Sequence, residues 1–221
     1  MAEMEEILRR RQERIDAMHR LQPGRTALLV IDMQHGFLDP GAALEVPQGR
    51  AIVPNIRRLI DVCRRKRVPV IFTEFVYAAS VPCLRGDPFG VEHLPAVPGQ
   101  PTGFGYPSSN CLIGPGAGEG PNSAATIEEL APLAEELVVR GHTYDKFYDT
   151  PLDLALRSQD IRSVIITGVV TDVCVNATLI SAATRDYRVT AVTDGVATIW
   201  PGLLEGCFAF LGGKFGRARY T

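Results

Sequence analysis

The chain has 221 residues, of which 46% are hydrophobic and 22% are charged, a composition typical of globular proteins rather than disordered ones. Its formal net charge of −2 argues against the clustered basic surface that nucleic-acid binding requires. No apolar run approaches the roughly 20 residues that span a bilayer, so we expect neither a nucleic-acid partner nor a membrane partner.

The five cysteines and four histidines are scattered along the chain, and no CxxC, HxxH or HxH pair occurs. The first ten residues, MAEMEEILRR, lack the apolar core of a signal peptide. These features favour a cytoplasmic protein with reduced thiols over a disulfide framework. They also predict that the protein holds no metal and needs no cofactor.

The first predicted element is a surface helix over residues 3–20, where apolar positions recur among charges. The turn-forming segment QPGR at 22–25 ends it. The continuous apolar run TALLVIDM at 26–33 then predicts a buried strand. We therefore divide the chain into an N-terminal helical extension, residues 1–24, and one domain, residues 25–221.

The next elements are a predicted helix over 51–67 and a second buried strand over 68–75. From residue 76 to about 122 the chain is rich in proline and glycine and shows no periodicity. A segment of this length and composition is typical of a functional covering loop or of a mobile segment. Substrate specificity is expected to depend on it.

Alternation of strands and helices resumes after this segment. The pattern predicts the close of a helix running into a strand over 133–141, helices over 150–159 and 176–187, and strands over 163–170 and 188–196. Apolar strands separated by helices form a parallel sheet covered on both faces. The predicted fold class is therefore α/β, a single three-layer α/β/α domain.

Chemistry-bearing side chains fall at the ends of the predicted strands. Asp32 follows the first strand, Glu74 ends the second, and Cys174 follows the fourth. The carboxyl ends of parallel strands meet at one edge, so Asp32 and Cys174 should converge. A helix N-terminus beside Cys174 would lower the pKa of its thiol, and Asp32 could act as its base. Locally, each is also compatible with a structural role, as a buried inert thiol and a turn carboxylate.

Four segments taken together resemble the isochorismatase-like cysteine hydrolases, which include nicotinamidases, N-carbamoylsarcosine amidases, and ureidoacrylate and biuret hydrolases. The segments are ALLVIDMQHGFLDP, VPVIFTEF, FYDTPLDLAL and ITGVVTDVCVNAT, in the family's order within residues 26–200. The resemblance implies a mostly parallel, six-stranded, Rossmann-like sheet, a thiol nucleophile at Cys174 and a base at Asp32. It also implies a cis Val169–Val170 peptide and an oxyanion hole made by the backbone amides of Val170 and Cys174.

The third catalytic residue of the family is a lysine, and here the sequence departs from the pattern. The lysine of the relatives aligns with Gly141. Either Lys146 reaches into the pocket and replaces the missing ammonium, or the site lacks one and the protein is weakly active or non-catalytic. An ordinary solvent-facing position for Lys146 is equally compatible with the sequence.

The resemblance implies a metal-independent cysteine amidohydrolase that cleaves a C–N bond of a small amide, ureido or carbamoyl compound through a thioester. TEFVYAAS stands where nicotinamidases carry a DxH…H metal cluster. The alternatives are an isochorismatase-type vinyl-ether hydrolase and a non-catalytic member of the family. By analogy with the family we also expect a dimer or tetramer. The residues predicted to bind substrate are Phe37, Glu74, Tyr77 and Tyr148.

Overall fold

The computed structural model describes residues 2–42, 44–76, 111, 113 and 123–221. Most of the predicted covering segment, including Tyr77, lies outside these residues. The strands are β1 Thr26–Ile31, β2 Val70–Phe75, β3 Leu137–Gly141, β4 Ser163–Val169, β5 Arg188–Ala197 and β6 Gly216–Arg219. The α-helices are α1 Ala2–Met18, α2 His35–Leu38, α3 Gly49–Lys66, α4 Leu152–Ser158, α5 Asn176–Thr184 and α6 Pro201–Phe210. Within these ranges, no helix is both long and apolar enough to cross a bilayer.

The strands form one six-stranded sheet in the order β3-β2-β1-β4-β5-β6, and every pairing between neighbours is parallel. The predicted α/β fold class is therefore confirmed. Every residue of β1, β2 and β4 is buried, as expected for strands whose two faces are both covered. Ile31, the last residue of β1, pairs with Thr73 on one side and with Gly168 on the other. The residues that follow β1 and β4 therefore emerge at the same edge of the sheet.

Helices cover the two faces of the sheet and form two apolar cores. Ile52, Ile56 and Ile60 of α3 pack in one core with Leu28 and Val30 of β1. On the other face, the alternate β1 residues pack with apolar side chains of α4 and α5: Ala27, Leu29, Ile31, Leu152, Leu156, Leu179 and Ala182. This alternation across β1 gives the three layers predicted from the sequence.

The structure corrects the interpretation of residues 133–141. Residues 134–136 form a turn rather than the end of a helix, and β3 begins at Leu137. The carboxylate of Glu136 accepts a hydrogen bond from the backbone N–H of Leu133 and pairs with Arg64 of α3. The segment between Pro132 and β3 is too short for a stable helix, so these side-chain contacts determine its conformation.

Candidate active site

Asp32 directly follows β1 and is fully buried, with 0% of its surface exposed. Its backbone adopts φ 50°, a left-handed conformation that aspartate tolerates better than most residues. The neighbouring strand fixes it through Thr73. The Asp32 N–H donates to the Thr73 carbonyl oxygen at 3.1 Å, and the Thr73 hydroxyl donates to Asp32 Oδ1 at 2.7 Å. These bonds leave Oδ2 directed toward other partners.

Cys174 lies beyond the end of β4 and is 4% exposed. Gly168 lets β4 approach β1 there, because a Cβ atom at this position would lie 2.0 Å from the Ile31 carbonyl oxygen. The Val169–Val170 peptide that follows is cis, which confirms the prediction. The chain then enters a π-helical turn, Thr171–Val175, which continues directly into α5. Cys174 therefore lies within the first turn of this helical segment.

Lys146 reaches the same place from the loop between β3 and α4. Its side chain is 1% exposed, and its Nζ lies 2.8 Å from Asp32 Oδ2. Nζ also donates to the Thr143 carbonyl oxygen at 3.0 Å and lies 5.0 Å from the centre of the Phe75 ring. Lys146 is therefore not a solvent-facing loop residue, and its ammonium forms a buried ion pair with Asp32.

The loop that carries Lys146 is held by α5, the helix that follows Cys174. The backbone N–H of Lys146 donates to the Thr178 hydroxyl at 3.2 Å. The carboxylate of Asp145 accepts the Phe147 N–H at 2.8 Å and the Ser181 hydroxyl at 2.7 Å. One helix thus positions both the thiol and the ammonium relative to each other.

The electrostatics of the site favour a neutral thiol beside an ion pair. Burial raises the pKa of the Cys174 thiol, the Lys146 ammonium opposes that rise, and Asp32 adds to it. For Lys146, burial lowers the pKa, but the Asp32 carboxylate and the neighbouring thiols outweigh burial and raise it. The resting state at neutral pH is therefore a protonated thiol next to a charged lysine. This direction is opposite to the lowered thiol pKa predicted from the helix N-terminus, because burial has the largest influence on Cys174.

Comparison with known proteins identifies the family of this chain. A family model described as the isochorismatase domain matches residues 26–203. The chain belongs to the isochorismatase family. It is 29% identical to the ureidoacrylate amidohydrolase RutB of Pseudomonas syringae pv. syringae over 205 residues, which cover 86% of this chain and 78% of that protein.

Solved structures agree with this assignment. A cysteine hydrolase from Pseudomonas syringae pv. phaseolicola matches with a TM-score of 0.70 and 26% identity over 90% of each chain. The N-carbamoylsarcosine amidase of Thermoplasma acidophilum matches with a TM-score of 0.66 and 26% identity, over 89% of this chain and 96% of that one. The family predicted from the four sequence segments is thus confirmed.

This isochorismatase-family chain keeps an ammonium at the site although position 141 is glycine. Gly141 is the last residue of β3, where it pairs with Phe75. A Cβ atom there would lie 3.1 Å from the Cγ2 of Thr150, so a longer side chain would require some adjustment. Lys146, five residues further along, places its Nζ beside Asp32 instead.

The other predicted site residues lie in different surroundings. Phe37 is buried, and its ring centre lies 6.2 Å from that of Phe75, which contacts the Lys146 ammonium. Glu74 is buried within β2, where its carboxylate accepts from the Thr126 N–H at 2.9 Å and from Arg140 at 2.9 Å. Tyr148 is 62% exposed. Phe37 therefore lies near the site, whereas both carboxylate oxygens of Glu74 are already bonded to other protein groups.

Sequence reasoning missed Thr73 and Gln34. Gln34 is completely buried; its amide donates to the carbonyl oxygens of Phe75 and Ala124 and accepts the Phe75 N–H. Gln34 therefore bonds to the backbone of Phe75 as a residue of a neighbouring strand would, and it holds in place the Phe75 ring that contacts the Lys146 ammonium. The signal available in the sequence was the amide of Gln34, two residues after Asp32 at the end of an apolar strand. The described parts of the chain contain no group of three or more histidine, cysteine, aspartate or glutamate residues suited to a metal ion.

Proposed function

We propose that this protein is a cysteine amidohydrolase that cleaves a C–N bond of a small amide, ureido or carbamoyl compound through a thioester intermediate. One observation carries the proposal: Asp32, Lys146 and Cys174, far apart in sequence, interact in a buried cluster. The names of the relatives, a ureidoacrylate amidohydrolase and an N-carbamoylsarcosine amidase, support hydrolysis of C–N bonds.

The first step is attack by the Cys174 sulfur on the substrate carbonyl carbon. Because the thiol is protonated at rest, its proton must leave as the C–S bond forms. Asp32 Oδ2 can accept it: apart from the ion pair with Lys146, this atom makes no regular hydrogen bond within the described structure. The Lys146 ammonium, 2.8 Å from Asp32 Oδ2, offsets negative charge during the step.

The carbonyl oxygen becomes an oxyanion in this step and needs hydrogen-bond donors. In the proposal these are the backbone amides of Val170 and Cys174. Burial raises the pKa of the Cys174 thiol, and an interaction with the Val170 backbone N–H partly opposes that rise. An amide directed at the nucleophile is well placed for the oxygen of a carbonyl bonded to that nucleophile.

Collapse of the tetrahedral intermediate breaks the C–N bond. Asp32 returns the proton to the departing nitrogen, so ammonia or an amine leaves and a thioester remains on Cys174. Asp32 then takes a proton from water, whose oxygen attacks the thioester carbonyl. The C–S bond then breaks, the acid is released, and Asp32 returns its proton to the sulfur, which restores the thiol. A vinyl-ether hydrolase would need the acid but no thiol, so the buried pairing of Cys174 with Asp32 favours amide hydrolysis over that alternative.

The decisive experiment is a panel of small amides, ureides and carbamoyl compounds assayed for ammonia release. We expect turnover by the native protein and none by Cys174→Ala, with both folding alike. Cys63→Ala is the matched control, because Cys63 is also a buried thiol but belongs to α3. Turnover in Cys174→Ala, or no turnover of any compound by the native protein, would contradict the proposal.

A further inference from the structure

The hydroxyl of Thr171 is a buried polar group that the proposed mechanism does not yet use. Thr171 is 3% exposed, and its Oγ1 makes no hydrogen bond with any protein group in the described structure. Asp32 Oδ2 is the other buried side-chain atom in these ranges without a regular hydrogen bond, but it is paired with the Lys146 ammonium at 2.8 Å. Leaving a buried hydroxyl unpaired destabilises a protein, so such groups in native structures call for an explanation.

Thr171 faces the same way as the nucleophile. Along the helical segment from residue 171, the buried side chains include Thr171, Cys174 and Thr178, whereas Asp172 and Val173 between them are half-buried. Periodic burial of this kind marks one face of a helix. Thr171 also directly follows the cis Val169–Val170 peptide at the end of β4. Thr171 therefore lies three residues before Cys174, on the buried face that also carries the thiol.

The usual structural roles of a threonine at this position are not fulfilled. A threonine near a helix start often caps it, but this turn has no side-chain capping bond. A helical threonine can also donate to the carbonyl oxygen four residues earlier, but residue 167 belongs to β4. Thr178 on the same face shows the contrast, because its hydroxyl bonds to both Lys146 and Tyr144.

We infer that the Thr171 hydroxyl is a substrate-binding group that accepts a hydrogen bond from an N–H on the scissile nitrogen. This inference rests on the proposed function and narrows its substrate class. The oxyanion amides and the Lys146 ammonium are donors only, and Asp32 Oδ2 receives the thiol proton. An amide or ureido N–H therefore needs another acceptor, and the two lone pairs of Thr171 Oγ1 supply it.

We therefore expect amides and ureides with an N–H on the scissile nitrogen to be better substrates than the matching esters, which have no hydrogen to donate to the Thr171 hydroxyl. A site built around a hydrogen bond discriminates against an analogue that lacks the partner, because the buried group of the protein is then left unpaired. In the free protein the hydroxyl is unpaired, so removing it should stabilise the fold while impairing recognition of the substrate.

The test compares Thr171→Val, which replaces the hydroxyl by a methyl group, with Thr171→Ser, which keeps it. We expect Thr171→Val to raise the unfolding midpoint by roughly 2–4 °C. It should lower kcat/KM for an amide of the panel by roughly 10- to 100-fold. The loss for the matching methyl ester should be smaller, because the ester oxygen carries no hydrogen to donate to the hydroxyl. Thr171→Ser should keep the amide preference. Thr198→Val is the matched control, because the buried Thr198 hydroxyl donates to Asp172 and its loss should lower the midpoint.

A lower midpoint for Thr171→Val would mean that the hydroxyl has a structural partner, such as a bound water, and would overturn the inference. Equal loss toward amide and ester, or no loss, would overturn it too. If the native protein hydrolyses none of the compounds, the proposed function is wrong, and the role of Thr171 is then tested by ligand binding alone. Acetamide, urea and N-carbamoylglycine are then titrated into Cys174→Ala with and without Thr171→Val. A Kd about tenfold weaker in the double variant supports the inference; equal affinity or no binding overturns it.

Discussion

Replacing Lys146 by methionine removes the ammonium of the buried ion pair while keeping most of the side-chain volume. The Nζ and Oδ2 atoms are 2.8 Å apart, and the two side chains are 1% and 0% exposed. Removing one partner leaves the Asp32 carboxylate buried without its counter-charge. Breaking a buried pair in this way costs about 3–5 kcal/mol of folding free energy. We expect that loss for Lys146→Met at pH 7.

A double-mutant cycle with Asp32→Asn separates this pair from general packing effects. The free energy of unfolding is measured by urea denaturation for the native protein, both single variants and the double variant. Because the double variant leaves no buried charge unpaired, it should be less destabilised than the sum of the single variants by about 2 kcal/mol or more. Lys66→Met, at an exposed lysine in the last turn of α3, is the control and should change stability by less than about 0.5 kcal/mol.

The Lys146→Met variant also tests the catalytic role of the Lys146 ammonium. Loss of one preorganised charge at the reacting centre costs about 10²–10³-fold in kcat, so hydrolysis of the panel substrate should fall by that factor in Lys146→Met. Additive single-variant effects within about 0.5 kcal/mol would show that Lys146 and Asp32 are not coupled. Near-native turnover by Lys146→Met would refute the assignment of Lys146 as the catalytic ammonium.

Three further predictions follow from the structure. Gly141→Lys should leave turnover at or below the native value, because Lys146 already supplies the ammonium; a marked increase would contradict this. Burial raises the pKa of Cys63 from 9.0 to about 11, so between these values the unfolded chain binds fewer protons. Between these values, the free energy of unfolding should therefore fall with rising pH more steeply in the native protein than in Cys63→Ala, by about 1.4 kcal/mol per pH unit. Equal slopes would contradict a raised Cys63 pKa. Exhaustive chelation should leave turnover intact; a loss reversed by zinc or iron would contradict the metal-independent mechanism.

Much of the fold could be predicted from the sequence because the information is local. Runs such as TALLVI at 26–31 and SVIITGV at 163–169 are apolar throughout, and this pattern is sufficient to indicate strands buried on both faces of a parallel sheet. Because the carboxyl ends of parallel strands meet at one edge, the convergence of Asp32 and Cys174 followed as well. The edge strand β6, GRAR, was not located because it is only partly buried and carries no apolar run.

Only the tertiary structure decided the position of the Lys146 ammonium and the state of the thiol. The path of the loop that carries Lys146 depends on Thr178 and Ser181, which lie more than 30 residues further along the chain. Contacts between distant segments leave no periodic signal, so sequence alone left Lys146 at either the surface or the site. The pKa of Cys174 likewise depends on burial from all sides and on the nearby Asp32 and Lys146 charges. A local helix N-terminus predicted a lowered pKa, but desolvation by the assembled core outweighs it and keeps the thiol protonated.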